Sequence, residues 1–471
     1  MGQEIPSSKF TRHDFSAFRD RLVQETELLT EMFREHRFSS SHDVGGFEVE
    51  AWLVNRNALP IPVNELFLDK LNDPMVVHEL AAFNVELNVI PQPLQHDALR
   101  KLHDELAKVW DKCRQTAGEM DADMMAIGIH PGVTEEQLSL QYMSRSERYC
   151  ALNEQVFVNR QGKPITLHIR GRDHLETTHY DVMLEAGTTS FQIHLQTREE
   201  DAVRAYNASQ IVSAPLVAVS ANSPFIFGWS LWEESRIPLF QQSVDVGDDY
   251  KKRVTFSYDY ARGSLLSCFK ENLDDYPILI PILFETDVHE LPHLRFHNGT
   301  IWRWNRPLIG FDHDGTPHLR IENRVVPSGP TVIDMIANAA FYWGLVHAFV
   351  NMEDAPENNI DFPVVRQNFY NAGRYGLESS IQWLDGEIHP LKSTLLHILL
   401  PMAREGLLHL GINSKDCDYY LGIIERRVES GQNGASWQRH WVKKHGADMD
   451  ALSRAYLEHQ HSQLPVHEWN I

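Results

Sequence analysis

Residues 45–52 read Gly-Gly-Phe-Glu-Val-Glu-Ala-Trp, an alternation of apolar and acidic residues that is typical of a β-strand. Because side chains alternate between the two faces of a strand, Glu48 and Glu50 point to one face and their apolar neighbours to the other. Two carboxylates about 6–7 Å apart along a strand can hold hard cations such as Mg²⁺, which take oxygen ligands and bridge to phosphates. The alternative is a strand whose acidic face is solvated, and this stretch alone favours neither interpretation.

Three further runs alternate in the same way. Their polar positions are Glu86 and Asn88 in 83–90, Gln192, His194 and Gln196 in 190–196, and Arg320, Glu322 and Arg324 in 319–325. A solvated sheet face would explain the alternation without any function, but these residue types coordinate metals or bind carboxylate and phosphate. We therefore interpret the runs as strands that share one site. Acidic residues with flanking arginines suit metal-assisted phosphoryl transfer.

Helical patterns surround these strands. Near the start they cover 14–37, 97–119 and 200–222, and further strand-like runs lie at 300–305 and 318–326. After residue 330 the helical pattern dominates, at 331–351, 365–384, 390–408, 415–430 and 447–460. Since strands and helices do not alternate regularly, we expect an α+β fold with an antiparallel or mixed sheet. We expect residues 1–330 to form a sheet-bearing catalytic region and residues 331–471 a helical region packed on it.

The composition limits the classes of molecule that we expect this protein to bind. A net charge of −22, from 43 basic and 65 acidic residues, argues against non-specific nucleic-acid binding. Four scattered cysteines without a CxxC pair, and a start without an apolar signal segment, fit a reduced, cytoplasmic location. The uncharged stretch 205–232 is broken by polar residues and prolines, which favours a buried helix and loop over a membrane span. We expect small-molecule partners, with neither nucleic acid nor membrane.

The common nucleotide motifs GxxxxGK[ST] and GxGxxG are absent. A match to HExxH, the zinc-protease signature, occurs at His289–His293. That chemistry requires both histidines on one helical face, and Pro292 lies inside the required helix. We therefore expect no zinc-protease site there.

Further short motifs follow in order along the chain. They are Gly46-Phe-Glu48-Val-Glu50, Glu86-Leu-Asn88, Ser190-Phe-Gln192-Ile-His194, Tyr206-Asn207, Ala221-Asn222-Ser223-Pro224, Ser235-Arg236, His297-Asn-Gly-Thr300, Arg320-Ile-Glu322-Asn-Arg324 and Ala372-Gly-Arg374-Tyr-Gly376-Leu377. As an ordered set they resemble the glutamate–cysteine ligase family, in its bacterial and plant-type branch.

The resemblance implies an ATP-dependent carboxylate–amine ligase with a curved, mostly antiparallel, glutamine-synthetase-like catalytic sheet. It implies that Mg²⁺-bound ATP phosphorylates a substrate carboxylate, typically the γ-carboxylate of glutamate, and that an amine then attacks the acyl phosphate. It leaves room for a homo-oligomer. By resemblance, the metal ligands would be Glu48, Glu50, Glu86 and Glu322, the cofactor-binding residues Gln192, His194 and Asn222, and the phosphate- or carboxylate-binding catalytic residues Arg236, Arg320 and Arg324.

One position departs from the family pattern. Many members carry an acidic residue shortly after the arginine that matches Arg324, and Val326 stands at about that place. The amine substrate therefore stays open. Two other functions also stay open at this point: a phosphotransferase of the guanidino-kinase type, and a nucleotide- or ligand-binding protein without turnover.

Overall fold

A curled antiparallel sheet lies at the centre of the structure, a computed structural model that describes residues 4–471. The strands are β1 (Val44–Asn55), β2 (Val76–His78), β3 (Asn84–Asn88), β4 (Gln92–Pro93), β5 (Ala122–Met125), β6 (Ile165–Arg170), β7 (His174–His179), β8 (Phe191–Thr197), β9 (Phe225–Ile226), β10 (Trp229–Ser230), β11 (Asn305–Phe311), β12 (Pro317–Asn323), β13 (Ser380–Gln382) and β14 (Ile388–Pro390). The main sheet runs in the order β11-β12-β8-β1-β3-β2, and β4 and β5 also pair with β1.

Helices surround this sheet. They are α1 (Arg12–Arg34), α2 (Asn64–Leu71), α3 (Ala98–Gly118), α4 (Glu147–Asn159), α5 (Glu199–Ser220), α6 (Arg236–Ser243), α7 (Leu266–Asp275), α8 (Pro292–Gly299), α9 (Val332–Val350), α10 (Phe362–Tyr375), α11 (Leu391–Thr394), α12 (Leu400–His409), α13 (Ser414–Ser430), α14 (Gly434–His445) and α15 (Met449–His461). The predicted α+β class with a mostly antiparallel sheet is confirmed.

The apolar side of β1 explains why the sheet is covered by helices. Phe47, Val49, Ala51 and Leu53 are all buried, as the alternation predicted. Helices α5 and α9 pack against each other, and both contact β8. Removing these apolar side chains from water is the main force that holds the helical layer on the sheet.

Helix α9 is the core of the helical layer. It is long and apolar enough to cross a membrane by length and composition, yet 89% of its most apolar window is buried inside the protein. It packs closely on α12, since a Cβ added to Gly406 would lie 1.9 Å from the carbonyl oxygen of Gly344. Glycines at this crossing allow the two backbones to approach, and the apolar composition of α9 is that of a core helix.

The predicted secondary structure was right for four strands of the main sheet, β1, β3, β8 and β12, whereas β2, β4 and β5 were not predicted. The strand predicted at 300–305 was placed too early, since residues 300–304 form a loop and β11 begins at Asn305. The helix predicted at 365–384 ends at Tyr375, because Gly376 takes a positive φ of 57°, and β13 follows. The hairpin β6–β7 and helix α14 were not predicted.

The HExxH stretch does not form one helix. Residues Val288–Glu290 make a short 3₁₀ turn, Leu291 is left-handed with φ 52°, and α8 starts at Pro292. His289 is exposed, whereas His293 is buried with its Nδ1 2.5 Å from an oxygen of Glu25. The two histidines therefore serve separate local contacts, as the position of the proline predicted.

Candidate active site

The strand register brings most of the predicted residues onto one face of the sheet. Across the strands, Glu50 lies opposite Glu86, Glu48 lies opposite both Asn88 and Gln192, and His194 lies opposite Glu322. Directly opposed side chains in an antiparallel pair have Cβ atoms about 5 Å apart. Residues that are far apart in the chain, such as Glu48 and Glu322, are thus brought together by strands β3, β1, β8 and β12.

Glu48, His194 and Glu322 form a first group, here called the histidine triad. One ligand atom from each lies within 4.8 Å of the others. His194 Nε2 is 3.4 Å from a Glu48 oxygen and 3.9 Å from a Glu322 oxygen. These distances leave space for a cation between the three side chains.

Glu50, Glu79 and Glu86 form a second group, here called the glutamate triad, also with ligand atoms within 4.8 Å. The Glu50 carboxylate accepts hydrogen bonds from the Ser190 backbone N–H (2.7 Å), the Ser190 hydroxyl (3.0 Å) and the Gln192 amide (2.8 Å). Glu79 lies just after β2, and no alternating pattern marked it in the sequence. The donors around Glu50 fix its carboxylate in one orientation.

Two arginines neutralise the Glu322 end of the site by direct hydrogen bonds. Arg306 donates two hydrogen bonds to Glu322, of 2.9 and 3.0 Å. Arg324 donates from Nη1 to Glu322 (2.9 Å) and to the side-chain oxygen Oε1 of Gln192 (2.5 Å). Arg306 was not predicted, since it lies on β11 opposite Glu322, in a stretch whose strand was placed too early.

The carboxylate pKa values follow the positions of the arginines: the pKa is lowered at Glu322 and raised in the glutamate triad. Burial alone would raise the pKa of Glu322, but Arg306 and Arg324 lower it far below its usual range. Burial, and then the charge of Glu48, raise the pKa of Glu86 to about 7. Burial and the charges of Glu50 and Glu86 raise the pKa of Glu79 well above its usual value. Without a cation, the glutamate triad therefore tends to keep protons while Glu322 stays ionised.

A cavity of about 170 Å³ opens beside the glutamate triad. Its polar lining comprises Glu50, Glu79, Glu86, Arg148, Tyr149, Glu185, Gln192, Arg295, Arg324 and Thr300. Its apolar lining includes Leu80, Leu152, Val244, Ile280, Phe296 and Trp302. Burial and the charge of Glu50 raise the pKa of Glu185 to about 8. Glu185 lies in a 3₁₀ turn and carried no pattern that sequence reasoning could use.

Three predicted residues neither line this cavity nor form part of the histidine triad, whose own members also lie outside the cavity. Arg320 flanks the histidine triad and lines a smaller opening with Glu48 and His194. Arg236 is buried and donates to the carbonyl oxygens of Arg324 (3.1 and 3.2 Å) and Val325 (2.6 Å). Asn222 is fully buried, and its amide nitrogen donates to the carbonyl oxygen of Ser328 (2.8 Å) and the hydroxyl of Tyr456 (2.8 Å). The structure thus does not bring Arg236 or Asn222 together with the carboxylates.

Unpartnered polar atoms show where a cation would fit. Among residues 4–471, Glu48 Oε2 and both ring nitrogens of His194 are buried without a hydrogen-bond partner. Burial, and then the charge of Arg320, lower the pKa of His194 to about 4, so its ring is neutral and has a lone pair for a metal. Carboxylate oxygens dominate both triads, a donor set that suits Mg²⁺ or Mn²⁺.

Solved structures with the same fold include two ligases. The glutamate–cysteine ligase of Francisella tularensis in complex with AMP is 11% identical, with a TM-score of 0.58 over 90% of each chain. A bifunctional glutathione synthetase from Pasteurella multocida is 10% identical, with a TM-score of 0.52 over 92% of this chain and 54% of that one. A search of curated proteins finds no match. At these identities the structural likeness shows a shared fold.

The sequence itself matches a family model over most of its length. The model is that of glutamate-cysteine ligase family 2, and it matches residues 44–458. This range contains all strands of the main sheet, both triads and most of the helical layer. Since the match covers far more than half of the 471 residues, this chain belongs to glutamate-cysteine ligase family 2.

Proposed function

We propose that this protein is an ATP- and Mg²⁺-dependent carboxylate–amine ligase that acts on glutamate or a similar amino acid. Family membership supports the ligase class, and the fold shared with a ligase crystallised with AMP is consistent with ATP use. The single observation that carries the proposal is the convergence of the two triads on one sheet face. A fold without this chemistry has no need to gather five buried or half-buried carboxylates and a neutral histidine.

The proposed metal ligands are the two triads. Glu48, His194 and Glu322 would hold one cation, and Glu50, Glu79 and Glu86 another. Bound Mg²⁺ would bridge the phosphates of ATP and neutralise their charge. Glu79, and His194 from the expected cofactor-binding residues, thereby join the four metal ligands expected from sequence.

The arginines have separate roles in this proposal. Arg324 faces the cavity and Arg320 the smaller opening, so both would bind phosphate oxygens or the substrate carboxylate. Arg236 is a positioning residue, because it fixes the backbone carbonyls of Arg324 and Val325. Gln192 would position both Glu50 and Arg324, since its amide bonds to each of them. We assign no ligand contact to Asn222, whose amide is bonded within the protein.

The proposed reaction has two steps. A carboxylate oxygen of the first substrate attacks the γ-phosphorus of ATP, ADP leaves, and an acyl phosphate forms. The nitrogen of the amine then attacks the acyl carbon, phosphate leaves, and the nitrogen loses a proton as the amide forms.

The test is release of ADP by the purified protein with Mg²⁺, ATP, glutamate and a panel of amines, with mass spectrometry of the products. We expect an amide with at least one amine, and loss of turnover in Glu50→Gln. Glu387→Gln, an exposed carboxylate on the β13–β14 hairpin, is the matched control and should keep full activity. A phosphorylated product without an amide would indicate a phosphotransferase instead. Tight nucleotide binding without ADP release would indicate a binding protein.

We further propose a cytoplasmic location, small-molecule partners and a single catalytic unit. All four cysteines are free, which fits a reducing compartment. The region 331–471 would act as part of the unit formed with residues 1–330, because α9 contacts β8 and packs along α5.

A further inference from the structure

A second, larger groove lies between the β6–β7 hairpin, α10 and α14. It has a volume of about 1080 Å³ and shares no lining residue with the catalytic cavity. Its cationic lining comprises Arg170, Arg172, Arg374, Lys392, Arg439 and Lys443, and its carboxylates are Asp173, Glu233 and Glu378. Six positive charges against three negative ones make the groove locally basic, in a chain whose net charge is −22.

Half of the cations in this groove are not neutralised. Glu233 accepts ion pairs from Arg172 (3.0 Å) and Arg439 (2.8 Å), and Lys392 pairs with Glu378. The remaining cations have no carboxylate oxygen within 4.0 Å among residues 4–471; they are Arg170, Arg374 and Lys443. A local excess of positive charge in a groove raises the local concentration of anions.

The segment from Leu231 to Glu233 holds the cationic elements in fixed positions. Arg439 donates to the carbonyl oxygens of Leu231 (2.9 Å) and Trp232 (3.0 Å). The Trp232 indole N–H donates to the carbonyl oxygen of Arg170 (2.8 Å), and the Arg374 guanidinium lies 4.8 Å from the centre of a Trp232 ring. Three separate elements are thus anchored to one short segment, so the groove does not have to be assembled when a ligand arrives.

The hairpin turn is fixed equally closely. A Cβ added to Gly171 would lie 2.4 Å from the backbone of Leu231. The turn that carries Arg170 and Arg172 therefore packs directly on the floor of the groove. This close backbone contact keeps both guanidinium groups at the rim.

We propose that this groove binds a small anion that carries phosphate groups. Guanidinium groups present two parallel N–H donors that match phosphate oxygens, and the three unpaired cations suit a multiply charged group. The volume is that of a small-molecule site. A long polyanion such as RNA would extend over the acidic remainder of the surface and be repelled, so the bound species is a small molecule.

The test is calorimetric titration of the full-length protein with inorganic pyrophosphate, in EDTA and at low ionic strength. We expect saturable binding that weakens roughly tenfold or more in Arg374→Gln/Lys443→Gln, because this variant removes two of the three cations that have no carboxylate partner and could bond the phosphate oxygens. Both side chains are exposed, so the variant should fold, and circular dichroism checks this. Arg366→Gln removes an exposed charge from the same helix, α10, outside the groove, and should bind like the wild type.

Two outcomes would overturn the proposal. One is the absence of saturable binding to the wild type. The other is an equal affinity in the double variant and the wild type, which would place the pyrophosphate in the catalytic cavity or elsewhere. Neither outcome depends on ligase turnover, so the test is independent of the proposed function.

Discussion

Glu48→Gln and Glu322→Gln remove the same charge from the same triad, yet we expect opposite effects on the stability of the metal-free protein. Glu322 accepts three charge-assisted hydrogen bonds, two from Arg306 and one from Arg324. All three side chains are buried. Glu48 Oε2 has no hydrogen-bond partner among residues 4–471.

The magnitudes follow from these contacts. Glu322→Gln leaves two buried guanidinium groups without their counter-charge, and breaking a buried pair in this way costs about 3–5 kcal/mol. Glu48→Gln removes a carboxylate that forms no ion pair with a lysine or arginine within 4.0 Å among residues 4–471, so the change should lie between zero and a gain of about 1 kcal/mol. In Mg²⁺ at about 100 times its dissociation constant, the wild type should gain about 2.7 kcal/mol. Glu48→Gln should lose most of that gain.

Urea unfolding followed by tryptophan fluorescence measures both effects, first in EDTA and then in Mg²⁺. The midpoint of Glu322→Gln should move to lower urea in EDTA with an unchanged slope, while that of Glu48→Gln should not. Equal stability of the two variants in EDTA would refute the claim that the two arginines stabilise the protein through Glu322 but not through Glu48. An equal gain from Mg²⁺ in Glu48→Gln and the wild type would refute the role of Glu48 as a metal ligand.

Three further predictions concern positions outside the triads. Arg236→Lys should lower kcat roughly 10- to 100-fold with little change in KM, because a lysine cannot hold both carbonyls that fix Arg324, and a shift of about 1 Å costs this much; steady-state ADP release measures it. His130→Gln should flatten the loss of stability between pH 6.5 and 4 by about 3 kcal/mol, since burial lowers the pKa of His130 to about 4; urea unfolding at several pH values measures it. Gly406→Ala should destabilise by roughly 1–3 kcal/mol through a backbone clash, whereas Gly118→Ala, with nothing within 4 Å, should be neutral or stabilising in thermal unfolding.

The sign of the pH effect follows from the neutral ring of His130. Its Nε2 donates to the carbonyl oxygen of Ala58 (2.8 Å), and its Nδ1 accepts from the N–H of Gly132 (3.1 Å). Below pH 6.5 the unfolded chain binds a proton that the folded protein does not bind until the pH nears 4. Its contribution is therefore complete above pH 6.5 and falls as the pH drops. The same pH slope in His130→Gln and the wild type would contradict this account.

The predictions for Arg236→Lys and Gly406→Ala can each be refuted by one result. An unchanged kcat in Arg236→Lys would mean that Arg324 keeps its position without the buried anchor. Equal stability of Gly406→Ala and Gly118→Ala would mean that α9 and α12 can separate at no cost. The unfolding measurement on Gly406→Ala needs no substrate. The kcat measurement on Arg236→Lys needs one amine that supports turnover, whether or not it is the natural substrate.

The strands of the site could be predicted because their information is local. In β1, β3, β8 and β12, strict alternation fixes which side chains share a face, whatever the pairing partner is. Parity alone therefore grouped Glu48 with Glu50 and Glu86 with Asn88. The register that places Glu50 opposite Glu86 comes from long-range pairing, which no local pattern encodes.

The residues that escaped prediction lie where periodicity is absent. Glu79 follows a three-residue strand and Glu185 lies in a 3₁₀ turn, so neither has neighbours that reveal its direction. Arg306 was missed because the apolar run before it resembles a strand, whereas β11 begins only at Asn305. Asn222 and Arg236 belong to matching motifs, but a motif does not distinguish a ligand contact from a buried scaffold contact.

The two triads on this sheet face differ in what neutralises their carboxylates. We therefore expect one triad to stabilise the fold and the other to depend on a bound metal. Glu322 is neutralised by arginines that the fold itself supplies from β11 and from the residue after β12, so this end is ordered without a metal. The glutamate triad has three carboxylates within 4.8 Å and raised pKa values at Glu79 and Glu86, so this end is complete only with a proton or a cation. A metal that binds there replaces protons that burial had favoured. Metal affinity should therefore rise with pH through the glutamate triad, while the arginine-balanced end keeps the strands in register.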